Sequence, residues 1–376
     1  MSRRSLALLP RLRRALVAAA PAVVACGVLS AMPAAAQWGP SSVFTDDGVE
    51  IGVEPRLFAL FALLNEAGYD KEVVLGGEPI LRPKFSDVRE KLRDDMGRSM
   101  NQPLVELIDE NPATVAVYVD AVLQLGPAPR FDDKTATSPL ARALAPFMRE
   151  WYNEEGGASH LRNAVEAARE RQKRLLAPTN TAIVAATKLV RLGDASEQLL
   201  EDDGGAQGRV ALVLNDLDAH GALLVVQAKE TVGIIAGPFR TADDETKALD
   251  AVVFAYANTL VAAEVAKLNA DGTLLATFDT VSPTTKAAYG DARAWGKALM
   301  SCAVSREVLA RASTCGALAG DAASDAALAL IAPRMHEFAP TTALFAAALP
   351  ELLAAPPPPP PPPPVVEEPK GKGKKK

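Results

Sequence analysis

The stretch KALDAVVFAYANTLVAAEV, residues 247–265, decides how the rest of the chain is read. Wound at 3.6 residues per turn, its apolar side chains between 248 and 263 fall on nearly every face, so protein must surround it on all sides. The preceding TADDETK, 241–247, supplies the start: Thr241 as an N-cap, then acidic residues in the first turn, where the helix dipole favours negative charge. Before that lie three short runs rich in Val, Leu and Ile: RVALVLND at 209–216, ALLVVQ at 222–227 and TVGIIAG at 231–237, with Lys229-Glu230 as a tight connection between the last two. Turn residues separate the runs, which predicts an antiparallel sheet of three or more strands. The expected fold is α+β: mostly helical, with a small antiparallel sheet packed beside a buried central helix.

Towards the N-terminus the chain is punctuated as helices. VEIGV at 49–53 alternates like a short strand. PRLFALFALLNEAG at 55–68 then begins with Pro in its first turn and meets Gly68 as a stop. FSDVREKLRDDMG at 85–97, PATVAVYVDAVLQLG at 112–126 and SPLARALAPFMREWYNEE from a Ser138 cap continue the pattern. An amphipathic run at 159–192 contains Pro178, which is expected to break or kink it. The acidic, glycine-rich EDDGGAQG at 201–208 marks a change of texture. Residues 37–200 therefore read as an N-terminal helical region and 201–354 as a sheet plus helices. The later helices are expected near 287–313, 321–331 and 341–353.

The ends of the chain carry signals of another kind. Residues 1–36 order five arginines, an alanine-rich apolar run and Ala34-Ala35-Ala36, the layout of a secretory signal cleaved after Ala36. The mature protein is thus expected in the periplasm or outside the cell. SRRSL is a partial twin-arginine element, which leaves the export route open. Cys26 offers a lipoprotein cleavage box, but apolar rather than polar residues follow it, so anchoring there is the lesser option. No later segment supplies the ~18 uninterrupted apolar residues a membrane-spanning helix needs. At the other end, residues 355–376 hold nine consecutive prolines, 356–364, and then VVEEPKGKGKKK. The prolines predict a stiff extended rod of ~28 Å. The lysines either contact an anionic surface or acidic partner, or serve only to keep the tail solvated.

Charge narrows the choice of partner. Removing the five leader arginines leaves 35 basic against 46 acidic side chains, a net charge of −11; the tail's five lysines and two glutamates leave the body near −14. A body this acidic argues against general nucleic-acid binding, which relies on Lys and Arg to neutralise phosphates. After leader removal two cysteines remain, Cys302 and Cys315. An oxidising compartment favours one disulfide between them. On an unbroken helix they would sit about 20 Å apart, beyond the ~7 Å limit for a bridge. A bridge therefore requires a bend between them; two separate thiols are the alternative.

The order of helical region, small sheet, buried helix and further helices resembles the secreted bacterial metallopeptidases of the gluzincin type, of which thermolysin is the familiar example. PRLFALFALLNEAGYDKE at 55–72 looks like the opening of an uncharacterised gluzincin-like family. VALVLNDLDAHGALLVVQAKETVGIIAGPF at 210–239 resembles its sheet, and SREVLARAS at 305–313 resembles its later helix. The resemblance implies that DAVVFAYANTLV, 250–261, stands where the family carries H-E-x-x-H. Such a pair of imidazoles holds zinc from one helical face, a distant carboxylate completes the protein ligands, and the intervening glutamate takes a proton from the metal-bound water. Here Phe254 stands at the first histidine position, Ala255 at the general base and Asn258 at the second histidine. Glu307 alone matches, as the third ligand, unless it simply pairs with Arg306 or Arg311. The expectation is therefore a degenerate site with no catalytic residue, no metal and no cofactor.

Other chemistry is thin. His336-Glu337 is followed at i+4 by Pro340, which neither ligates nor continues a helix. His220 lies in NDLDAHG near Asp216 and Asp218, whose carboxylates suit either a cation or a solvated turn. His160 marks a helix start. No G-x-S-x-G elbow, phosphate-binding P-loop or C-x-x-C pair occurs. Tyr256 and Asn258 are polar groups in an apolar helix and, with Glu307, are expected to floor a cleft for a peptide or an envelope protein. Two alternatives stand beside this reading. One is an active hydrolase whose metal ligands are Asp216, Asp218, His220 and Glu307; the other is an unrelated helical module tethered to the envelope through its tail.

Overall fold

A computed structural model describes residues 42–46, 48–67, 92, 102–153, 156–191, 209–228, 231–262, 265–266, 272–310, 315, 318 and 320–331. The expected leader, the proline- and lysine-rich tail, the helices expected at 85–97 and 341–353 (apart from Leu92), the Lys229-Glu230 connection and His336 lie outside these residues. The fold is α+β, mostly helical around one five-stranded sheet. Its strands are β1 (Val43–Phe44), β2 (Glu50–Gly52), β3 (Arg209–Leu214), β4 (Leu223–Ala228) and β5 (Thr231–Ala236), in the spatial order β1-β2-β3-β5-β4.

The sheet is mixed rather than antiparallel. β4 and β5 form the expected antiparallel pair, with Ala228 opposite Thr231. The chain, however, leaves β3 for the edge and returns to place β5 in between, so β3 and β5 run parallel. β2, drawn from the N-terminal region, adds a second parallel pairing, with Ile51 opposite Leu212. Burial explains the order. Val210 to Leu214 of β3 are all buried, as suits a central parallel strand, whereas β4 exposes Val225 and Gln227, as suits an edge. Strands from before and after residue 200 thus share one sheet and one continuous hydrophobic core.

Helix α1 (Pro55–Glu66) follows β2 and is buried from Pro55 to Asn65. Glu54 caps it by accepting the Leu57 N–H at 2.8 Å. The same carboxylate pairs with Arg56 at 2.7 Å. Arg56 also donates to the carbonyls of Leu123 and Leu125, at 3.1 and 2.9 Å, which closes the end of α3 (Val115–Leu123) onto α1. Between these helices in sequence runs α2 (Gln102–Glu110). α4 (Pro139–Asn153) begins at its expected cap, the Ser138 hydroxyl accepting the Ala141 N–H at 3.3 Å.

α5 (Gly157–Arg191) departs from expectation: its 35 residues run through Pro178 without a break. Tertiary bonds on both sides of the proline hold it. Gln172 donates to the Ile51 carbonyl at 3.1 Å before it, and Asn180 and Thr187 bond to Asp46 and Tyr256 after it. One missing N–H is a local loss that these anchors offset.

α6 (Ala242–Leu260) contains the decisive stretch. Thr241 and Asp244 form a reciprocal capping box, and the helix packs on β3 and β5, on α5 and on α9 (Ala292–Leu309). α7 (Thr273–Phe278) and α8 (Pro283–Tyr289) lead into α9, and α10 (Ala322–Ile331) closes the described chain. α9 ends at Ala310, whose left-handed φ of 48° supplies the bend needed for a Cys302–Cys315 disulfide. The two Cα atoms are 5.5 Å apart and the sulfurs are bonded.

Candidate functional site

α6 and α9 pack directly against each other, so the element carrying Phe254, Ala255 and Asn258 neighbours the element carrying Glu307. Phe254 and Asn258, four residues apart, project from one face of α6 and are half-buried, whereas Ala255 is only 5 % exposed. Tyr256 is about 200° around the helix from Phe254. Its hydroxyl lies 3.0 Å from the Thr187 hydroxyl and links α6 to α5 instead of joining that face. Glu307 is half-buried in the last turn of α9, and its carbonyl accepts the Ala310 N–H at 3.3 Å.

This set offers a benzene ring, a methyl group, an amide and one carboxylate. Zinc requires donors such as imidazole, thiolate and carboxylate, and with a single carboxylate these residues do not fit that ion. Among the described residues no group of three or more His, Cys, Asp or Glu side chains is placed to hold a metal.

The second group of candidates lies at the carboxyl end of β3, in the turn leading to β4. Asp216 is engaged by Arg171 of α5 in a two-pronged ion pair of 2.5 and 2.6 Å. Asp218 is 3 % exposed, and its Oδ1 accepts the Ala219 N–H at 2.7 Å. His220 is half-buried, with both ring nitrogens enclosed and without a hydrogen-bond partner among the described residues. The turn is built into the fold. Gly221 and Gly237 donate to the carbonyls of Pro238 and Ala222, at 3.0 and 2.9 Å. Gly221 has φ +64°, and a Cβ there would come within 2.5 Å of an Asp244 oxygen of the capping box. Asp216 therefore serves as a tether between α5 and the sheet, a role the sequence did not disclose because Arg171 lies 45 residues away. His160 sits in the first turn of α5. No helix among the described residues is long and apolar enough to cross a membrane.

No family model matches the chain, and no curated protein or solved structure matches it.

Proposed function

We propose that this is an exported, non-catalytic protein of the cell envelope that binds a peptide or protein segment through a degenerate gluzincin-like core. The observation that supports the reading is the packing of α6 on α9, which makes neighbours of the helix bearing Phe254, Ala255 and Asn258 and the helix bearing Glu307. With a phenyl ring, a methyl group and an amide in place of two imidazoles and a general base, hydrolysis has no water-activating group. What remains suits recognition: an apolar ring, an amide that both donates and accepts, and an acceptor carboxylate. Export rests on the sequence of residues 1–36, and contact of the terminal lysines with an anionic surface rests on their charge.

The test uses purified mature protein. Elemental analysis should find far less than one zinc per chain, and a dye-labelled unfolded protein should be cleaved no faster than without the protein, whether or not chelator is present. Binding to an immobilised peptide library should weaken several-fold in Asn258→Ala. Stoichiometric zinc together with chelator-abolished cleavage overturns the reading.

A further inference from the structure

A cleft of about 360 Å³ lies between the outer strand β1 and α5, lined by none of the residues named on α6 and α9. Val43 forms one wall; Val165, Arg169, Gln172, Lys173 and Leu176, spaced along one face of α5, form the other. The frame is fixed at two points. Gln172 donates to the Ile51 carbonyl at 3.1 Å, and one turn beyond Leu176, Asn180 and Asp46 exchange two hydrogen bonds of 2.9 and 2.8 Å. Ser42 bonds the Glu50 carboxylate of β2 and steadies the start of β1.

β1 is the last strand on its side of the sheet among the described residues. Its register shows where its backbone points. Thr45 donates to the Val49 carbonyl at 2.9 Å, so the next pair inward, Phe44 opposite Glu50, is the non-bonded one. In an antiparallel ladder such a residue directs its N–H and C=O away from its partner strand. Phe44 thus presents both main-chain groups to the outer edge, and the residue is 60 % exposed. An edge of this kind is a template for an added strand.

The chemistry of α5 specifies what that strand should carry. Residues i and i+2 of a strand share a face about 7 Å apart. On the α5 side they would meet Val165 and Leu176, which are apolar, and Arg169 and Lys173, which are cationic. These cations pair along the helix with Glu166 and Glu170 at 2.8 and 2.7 Å, and all four side chains are exposed. Exposed ion pairs of this kind add little to stability and are screened by solvent, so an incoming carboxylate can exchange with them. We propose that this cleft captures an extended peptide bearing an apolar and an acidic residue at i and i+2, added as a sixth strand on β1. The surface is separate from the α6–α9 face and does not rest on the reading given for it.

The test uses the mature protein and two blocked, dye-labelled hexapeptides, Thr-Val-Thr-Glu-Thr-Glu and Thr-Val-Thr-Lys-Thr-Lys, with binding read by fluorescence anisotropy. The acidic peptide should bind at least ten-fold more tightly than the basic one. The double substitution Arg169→Glu/Lys173→Glu should reverse that preference, a gain that misfolding cannot produce. Hydrogen exchange at the Phe44 amide should slow when peptide is bound, and Asn258→Ala should leave all three results unchanged. Equal binding of the two peptides, an unreversed preference or unaltered Phe44 exchange overturns the proposal. So does loss of binding in Asn258→Ala alone, which would assign the peptide to the α6–α9 face.

Discussion

Arg56 carries a full charge into the core, and three of its neighbours explain how. It is 2 % exposed, yet Glu54 balances the charge and the carbonyls of Leu123 and Leu125 take up its N–H groups. Removing one member of such a pair leaves the other buried and uncompensated, which costs about 3–5 kcal/mol. Arg56→Ala should lower the unfolding free energy by that amount in urea titration; a loss below about 1 kcal/mol would show that the pair is not needed to close α1 on α3. Asp321 makes a pH-dependent contribution. Burial pushes its carboxyl up, but the hydrogen bonds from Ser324 and Ser282 outweigh this and hold it below the ordinary carboxylate range. The folded state thus favours the ionised form more than the unfolded state does. Its stabilisation is complete above the unfolded pKa, ~3.9, and disappears as pH falls through the lower folded value. Asp321→Asn should cost about 1–3 kcal/mol at pH 7, and the gap from the parent protein should narrow towards pH 2. A gap independent of pH would contradict this assignment.

At the scale of elements, legibility depended on whether the cause was local. The start of α6 was readable because Thr241 and Asp244 are three residues apart and cap one another. The start of α4 was readable for the same reason, from Ser138. The passage of α5 through Pro178 was not, because what holds the helix is bonds to Ile51, Asp46 and Tyr256, all distant in sequence. The disulfide was half readable: cysteine number and the expected oxidising compartment pointed to it, but the bend at Ala310 had to be seen. Cys302 and Cys315 are 13 residues apart, and closing a loop of this size restricts the unfolded chain by about 3 kcal/mol. Cys302→Ala/Cys315→Ala should lose that much in guanidinium titration under non-reducing conditions, and equal stability of the two proteins would count against a structural clip.

For the whole molecule, the α+β class followed from one all-round apolar helix next to short strands, because burial on every face leaves few architectures. The strand order did not follow. β2 pairs with β3 across a register that sets Ile51 beside Leu212, and nothing near either residue announces the other. The candidate site divides in the same way. Positions 254, 255, 258 and 307 stand out only through the resemblance to the gluzincin-like family; helical spacing sets Tyr256 off their face, but its bond to Thr187, 69 residues away, had no local signal.

We propose that α6 and α9, which pack together, form the frame of a metal site whose imidazole positions are filled by Phe254 and Asn258. Phe254→His/Asn258→His returns two nitrogen donors to one face of α6 and leaves Glu307 as the third protein ligand. Elemental analysis of this variant, with folding checked by circular dichroism, should find about one zinc per chain, and adding Glu307→Gln should abolish it. A folded double-histidine variant that takes up no zinc would contradict the account.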